Sequence, residues 1–160
     1  MAKITKTNTD DLNQEVLAFL RQDELDYPAG AKKFGAAALP YLEELIASND
    51  EMLATKAAYL AGYIGGEAGS GALKKAAAAG FSTVRLAAAF GAQSLKEADA
   101  TEVLSQALDD HDPGVQKIAM RSVQAKKLQA ALKPKLQALS KNAVTEEIKT
   151  QASEMVKKLK

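Results

Sequence analysis

One pattern of aliphatic and alanine positions recurs four times along the chain at a nearly constant spacing. An aliphatic residue opens each copy, one or two alanines follow four or five places later, and the opening residues are Leu53, Val84, Val115 and Ile148. The first three are evenly spaced, and the fourth follows after a slightly longer interval. The spacing of about thirty residues is typical of stacked helical repeats. The pattern therefore predicts an all-α architecture built from repeated helical units.

Each copy continues with further apolar positions that together predict one buried stripe on a helix. Positions 0, 4, 8 and 11 of a copy fall within about 80° of arc at roughly 100° per residue. Lys126, at the last position of the third copy, is the one polar residue in these stripes. Side chains that can cap a helix stand two or three residues before the opening aliphatic residues: Asp50, Ser82, Asp112 and Thr145.

A second series of leucines predicts another helix before each copy. Leu42, Leu73 and Leu104 repeat at the same interval as the opening aliphatic residues, and Leu136 again follows after a slightly longer one. Each unit is therefore predicted to be a pair of antiparallel helices. Asp99 and Glu102 have the spacing of a capping box. The glycine-rich segment 65–71 is predicted to be a turn, with Ser70 as the next cap.

These residues resemble HEAT repeats, in which an aliphatic residue, a basic residue, two variable residues and two alanines follow a helix start such as Asp112-Pro113. The resemblance covers residues 37–66, 70–96, 99–126 and 128–160 as repeats, with residues 11–36 as a degenerate first repeat. It implies an α-solenoid of about four to five antiparallel helix pairs, a HEAT-like superhelix, within a single domain 1–160. The polar residues 1–10 are predicted to fray.

Composition narrows the class of protein. The chain is 47% hydrophobic and 26% charged, and it contains no Cys and no Trp. Without Cys, a disulfide framework and a thiolate metal site are both excluded, and a reducing compartment is compatible with the sequence. The first ten residues lack the apolar core of a secretory signal, and no stretch approaches the roughly 18 apolar residues of a membrane span. We expect a soluble, cytoplasmic protein.

Candidate catalytic chemistry is sparse, and the sequence favours a protein that is not an enzyme and holds no cofactor or metal. The single histidine, His111, lies between Asp110 and the predicted cap Asp112, in a predicted turn. One histidine cannot supply the several His–Glu ligand pairs of a HEAT-type hydroxylase. The serines lack a G-x-S-x-G context, and the glycines of segment 65–71 lack the G-K-[ST] ending of a phosphate loop.

The helix face opposite the buried stripe is the predicted binding surface. Positions 2, 6 and 9 of each copy lie close to opposite the stripe, on the inner surface of the superhelix if HEAT geometry holds. This row includes Gly62 and the six residues that we predict to bind a partner, namely Tyr59, Leu86, Phe90, Lys117, Arg121 and Gln124. Apolar groups beside basic groups favour a scaffold or adaptor that binds a protein or peptide with acidic character. The alternative is that Tyr59 and Phe90 only pack against neighbouring helices.

Charge is unevenly distributed, which gives a second functional hypothesis. The net charge is only +1, yet residues 111–160 contain 11 Lys or Arg against 4 Asp or Glu. A basic patch of Lys126, Lys127, Lys133 and Lys135 could bind nucleic acid or an acidic protein. The alternative is a solvated helix face with lysines at helix C-termini. HEAT-like alkylpurine DNA glycosylases are similar in architecture only, since this chain has no tryptophan to stack on a base. An auxiliary role of the kind seen in HEAT-type chromophore lyases is a third interpretation, and no membrane partner is expected.

Overall fold

The computed structural model describes residues 6–159, which form ten α-helices, two short 3₁₀ helices at Gly35–Ala38 and Ala92–Ser94, and no strand within that range. The all-α prediction is confirmed. No helix in this part of the chain has both the length and the apolarity to cross a bilayer. The α-helices are α1 Lys6–Leu20, α2 Tyr27–Phe34, α3 Leu39–Ile46, α4 Glu51–Ile64, α5 Gly66–Ala77, α6 Ser82–Gly91, α7 Glu97–Leu108, α8 Pro113–Lys126, α9 Lys133–Asn142 and α10 Glu146–Lys157.

Helix contacts follow two alternating series. Helix α4 packs against α2 and α6, α6 also packs against α8, and α8 packs against α10. In the other series α3 packs against α5, α5 against α7, and α7 against α9. Consecutive helices joined by a short loop are also in contact, as in α3 with α4 and α9 with α10. Helices α4, α5, α6 and α7 are therefore each in contact both with their sequence neighbours and with the second helix along in either direction.

The predicted stripes are buried in one continuous core. Both Val84 and Val115, which open the second and third copies, are 0% exposed. The other buried stripe residues are Leu53, Ala57, Ala61, Ala88, Ala92, Leu95, Ala119, Val123, Ile148 and Ala152, and the four leucines of the second series are also buried. Only the far ends of the stripes, at Ile64, Lys126, Val156 and Leu159, are half-buried. Alanine-rich stripes let the helices approach closely because so little side chain separates them.

Three predicted helix caps are confirmed and three are wrong. The side chains of Asp50, Asp112 and Thr145 accept hydrogen bonds from first-turn backbone N–H groups, with N···O distances between 2.8 and 3.3 Å. Ser82 is not a cap, because α6 begins at Ser82 and its N-cap residue has no side-chain hydrogen bond. The other incorrect predictions are the capping box of Asp99 and Glu102, which lie inside α7, and Ser70, which lies inside α5. The Asp99 and Glu102 carboxylates instead pair with a single lysine, Lys74, at 2.9 and 3.0 Å.

Several helix starts differ from the predicted starts of the repeats. In the predicted turn 65–71, Gly65 and Gly66 both have φ of +64°, and α5 already begins at Gly66. Two glycines in the left-handed region suffice for the reversal, so the rest of the segment is helical. The repeats predicted to begin at residues 70 and 99 have helices that begin earlier, at Gly66 and Glu97. The repeat predicted to begin at residue 128 has a helix, α9, that begins later, at Lys133. Of the segment predicted to fray, residues 6–10 are helical and residues 1–5 lie outside the described range.

An ion pair between Arg85 of α6 and Asp110, in the turn before α8, connects two helix pairs. The Arg85 guanidinium donates to both Asp110 carboxylate oxygens at 2.7 and 3.3 Å, and it also donates to the carbonyls of Ala79 and Gly80 at 3.0 Å. Burial alone would raise the pKa of Asp110. Hydrogen bonds from Arg85 and from the backbone N–H of Asp112, with the Arg85 charge, outweigh burial and lower that pKa below its ordinary value.

Candidate functional site

Four aromatic side chains meet where α2, α4 and α6 pack side by side, and we call them the aromatic cluster: Tyr27, Tyr59, Tyr63 and Phe90. Tyr27 stacks on Tyr63 with ring centroids 5.6 Å apart and ring planes 3° from parallel. Tyr59 contacts Tyr27 at 5.7 Å and Phe90 at 5.9 Å, and Tyr63 lies 6.2 Å from Phe90. These centroid distances are within the range in which aromatic pairs attract each other. The four rings therefore form one continuous surface.

The aromatic cluster is partly open to solvent. Tyr63 is 42% exposed and Phe90 is 37% exposed, while Tyr27 and Tyr59 are half-buried. Burial raises the pKa of Tyr27, and the neighbouring Tyr59 and Tyr63 raise it further. Burial and Tyr63 likewise raise the pKa of Tyr59. A tyrosine hydroxyl is protonated at neutral pH even without such a shift, so both hydroxyls can donate hydrogen bonds to a partner. Contiguous exposed aromatic surface is typical of protein interaction sites.

A close crossing of α4 and α6 positions two members of the cluster. Gly62 precedes Tyr63 and Gly91 follows Phe90, and these glycines face each other at the crossing. A β-carbon built on Gly62 would lie 2.9 Å from the Gly91 Cα, and one on Gly91 would lie 3.1 Å from the Gly62 Cα. The backbones can approach this closely only because both residues lack side chains. Gly62, predicted to lie on the binding face, is consequently buried in this crossing.

Five of the six predicted binding residues fall into two groups, and Leu86 lies outside both. Tyr59 and Phe90 belong to the aromatic cluster. Leu86 is half-buried, and its Cδ1 would lie 3.5 Å from a β-carbon built on Gly114, so this leucine packs beside the start of α8. The other three line a groove between α8 and α10, which we call the polar groove: Lys117, Arg121 and Gln124.

The polar groove has a volume of about 290 Å³ and charged walls of both signs. Lys117 Nζ lies 3.0 Å from Glu147 Oε2 across the groove, and both side chains are largely exposed, so this pair contributes little stability. Within residues 6–159, Arg121 forms no ion pair, and its side chain is exposed. A guanidinium presents a fork of donors that fits a carboxylate. The groove can therefore bind an acidic group of a partner through Arg121.

The lysines of the predicted basic patch differ in their contacts within the fold. Lys126 Nζ donates to the carbonyl of Leu95 at 2.7 Å, which explains why a lysine replaces the apolar residue at this position of the stripe. Lys135 pairs with the carboxylate of Asp109. Lys127 and Lys133 are exposed. Two of the four lysines thus already have partners within the fold.

The helical phase alone did not identify Tyr27 and Tyr63. Tyr63 stands four residues after Tyr59, and residues at this spacing lie next to each other on a helix surface, so the sequence contained a signal for it. Tyr27 lies in the degenerate first repeat, and its contact with Tyr63 depends on the packing of α2 against α4. No local pattern marks that contact.

The one histidine has no chemical partners that suggest a role. His111 is exposed in the turn before α8, where the neighbouring Asp112 caps the helix. Among the residues that the structure describes, no group of three or more His, Cys, Asp or Glu side chains is arranged to hold a metal ion. A scan against models of protein families finds no match to this chain, and a search of curated proteins finds no similar sequence.

Proposed function

We propose that this protein is a non-enzymatic interaction scaffold that binds a partner protein or peptide on the aromatic cluster and the polar groove. The observation that carries the proposal is the aromatic cluster, in which four rings are in contact and two are more than a third exposed. A few residues supply most of the binding energy at a protein interface, and aromatic residues and arginine are enriched at such sites. Phe90 and Arg121 are therefore the residues on which we expect affinity to depend most.

We further propose that the helix pairs stack as an α-solenoid of the HEAT type. The alternating contacts of α4, α6, α8 and α10 support this arrangement, as does the resemblance of the sequence to HEAT repeats. In such a stack these four helices form one wall of the superhelix. Tyr59, Phe90 and Arg121 would then face the same side, and one extended partner could contact all three.

The proposal is tested by comparing how tightly the wild-type protein and its variants bind the partner. The immobilised protein is used to recover partners from cells of its source, and each recovered protein is then purified and its Kd is measured directly. Replacing both Phe90 and Arg121 by Ala should weaken binding roughly a thousandfold, the effect of losing two residues worth about 2 kcal/mol each. The matched control replaces an exposed apolar and an exposed basic residue elsewhere, Met52→Ala with Lys141→Ala, and should bind like the wild type.

Circular dichroism of both double variants confirms that helicity is retained, so that a loss of binding can be assigned to the surface. A partner that binds both double variants equally well would refute the proposal. Recovered nucleic acid whose binding is lost with Lys127→Glu and Lys133→Glu, but retained in the Phe90→Ala protein, would favour the basic patch instead.

A further inference from the structure

Two acidic side chains lie beside the aromatic cluster near α2, at one end of the series of helices α2, α4, α6, α8 and α10. The polar groove lies between α8 and α10, at the other end. Glu24 and Asp26, in the loop between α1 and α2, line an open hollow of about 510 Å³ together with Tyr27 and Tyr63. The remaining lining residues are Leu25 and Pro28, so no basic side chain lines this hollow.

Both carboxylates in the hollow can accept a ligand. Glu24 is exposed and forms no ion pair with the described residues. One oxygen of Asp26 accepts the backbone N–H of Ala29 at 3.0 Å, which caps α2 and leaves the second oxygen for another donor. The faces of aromatic rings attract ammonium and guanidinium groups, and nearby carboxylates add to that attraction. The hollow therefore complements a cation, whereas Arg121 in the polar groove complements an anion.

We propose that the partner segment carries a lysine or arginine that binds between Glu24, Asp26 and the stacked rings of Tyr27 and Tyr63. Apolar residues of the same segment then lie on Tyr59 and Phe90, and an acidic residue reaches Arg121. The inference rests on the proposed function and assigns a direction to the bound peptide. The carboxylates of Glu24 and Asp26 at one end and the Arg121 guanidinium at the other are what fix that direction.

Helix packing gives the expected spacing within the peptide. Tyr63, whose ring lines the hollow, is on α4, and Arg121 is on α8, two helices farther along the series. Neighbouring helices pack about 8–10 Å apart, so the two ends are roughly 20 Å apart. An extended peptide covers about 3.3 Å per residue, so its basic and acidic residues should be about six positions apart.

Selection from a random dodecapeptide library displayed on phage tests this motif. Peptides retained by the wild-type protein should carry a Lys or Arg and an Asp or Glu about six residues apart, with aliphatic or aromatic residues between them. The peptide most enriched is then synthesised with a fluorescent label, and its Kd is measured by anisotropy. A second version replaces its basic residue by norleucine, which keeps a straight apolar stem without the charge.

The matching protein variant combines Glu24→Gln with Asp26→Asn, because Asn also caps helices and α2 is thereby preserved. Either the peptide change or the protein change should weaken binding about fivefold to tenfold, a typical effect of losing a charge over an aromatic face. Both changes together should weaken it no further than one alone, since they remove the same interaction. The control variant Glu44→Gln removes an exposed carboxylate on α3 and should bind like the wild type.

The outcomes separate this inference from the proposed function. Selected peptides that lack a basic residue, or that bind the Glu24 and Asp26 variant as tightly as the wild type, would overturn the inference. If Phe90→Ala still weakened those peptides at least about tenfold, the binding surface itself would stand. Failure to select any peptide, or binding that does not change with Phe90→Ala, would overturn both.

Discussion

The crossing of α4 and α6 provides a test in which helix propensity and packing make opposite predictions. Gly62 lies inside α4, where alanine should be the better helix former. A β-carbon there would lie only 2.9 Å from the Gly91 Cα, and backbone cannot move aside as a flexible side chain can. The Gly62→Ala variant must therefore push the two helices apart or distort one of them.

The expected magnitude follows from these two effects. Replacing Gly by Ala inside a helix gains about 1 kcal/mol. Overpacking a filled core costs about 1–3 kcal/mol, and we place this site at the upper end because both crowded groups are backbone. The net effect of Gly62→Ala is therefore a loss of about 1–2 kcal/mol, from the difference between these ranges. For a domain of this size, the melting temperature should fall by about 3–6 °C.

Gly71→Ala is the matched control on the adjoining helix. Gly71 is exposed in α5, and its β-carbon would approach only the tip of the Glu43 side chain, at 3.4 Å. This variant should gain about 0.5–1 kcal/mol from helix propensity alone. Urea unfolding followed by circular dichroism measures both variants. If Gly62→Ala were as stabilising as Gly71→Ala, the close crossing, and with it our explanation of how Tyr63 and Phe90 are positioned, would be refuted.

Three further substitutions test other parts of the fold. Ala88→Leu should cost about 1–3 kcal/mol because Ala88 is 0% exposed, and an unchanged urea midpoint would contradict its placement in the core. Lys126→Met keeps an apolar stem but loses the hydrogen bond to Leu95, so the free energy of unfolding should fall by about 1 kcal/mol, whereas equal stability would show that this bond contributes nothing. Because the folded pKa of Asp110 lies below its ordinary 3.8, its carboxylate stabilises the fold above that pH, and the contribution is lost as pH falls through the folded pKa. The urea midpoint of Asp110→Asn should therefore decline less than that of the wild type between about pH 5 and pH 3, and parallel declines would refute the linkage.

Much of the fold could be predicted because its determinants are local and repeated. The spacing of Val84 and Val115 located two positions that are fully buried, and Asp50 and Asp112 marked the starts of α4 and α8. Helix starts without a dedicated cap were predicted less well. The position at which α5 begins depends on two glycines in left-handed conformation, and the composition of segment 65–71 does not distinguish them from the glycines that follow.

The candidate site was only partly predictable, because half of it depends on tertiary contacts. Helical phase placed Tyr59 and Phe90 on the same face, and the structure brings their rings to 5.9 Å. Tyr27 joins them only through packing of α2 on α4. The hydrogen bond from Lys126 to the Leu95 carbonyl was not predicted, because Leu95 lies 31 residues earlier in the chain. A contact between residues so far apart in sequence cannot be recognised from the pattern of charged residues.

The aromatic cluster also gives the molecule its own optical reporter. The chain has four tyrosines and no tryptophan, so tyrosine dominates its ultraviolet emission. Three of those four rings belong to the cluster, and only Tyr41 lies elsewhere. A ligand that covers these rings changes the surroundings of most of the emitting groups at once. Occupancy of the surface can therefore be followed in the unlabelled protein, with no dye attached to the face under study.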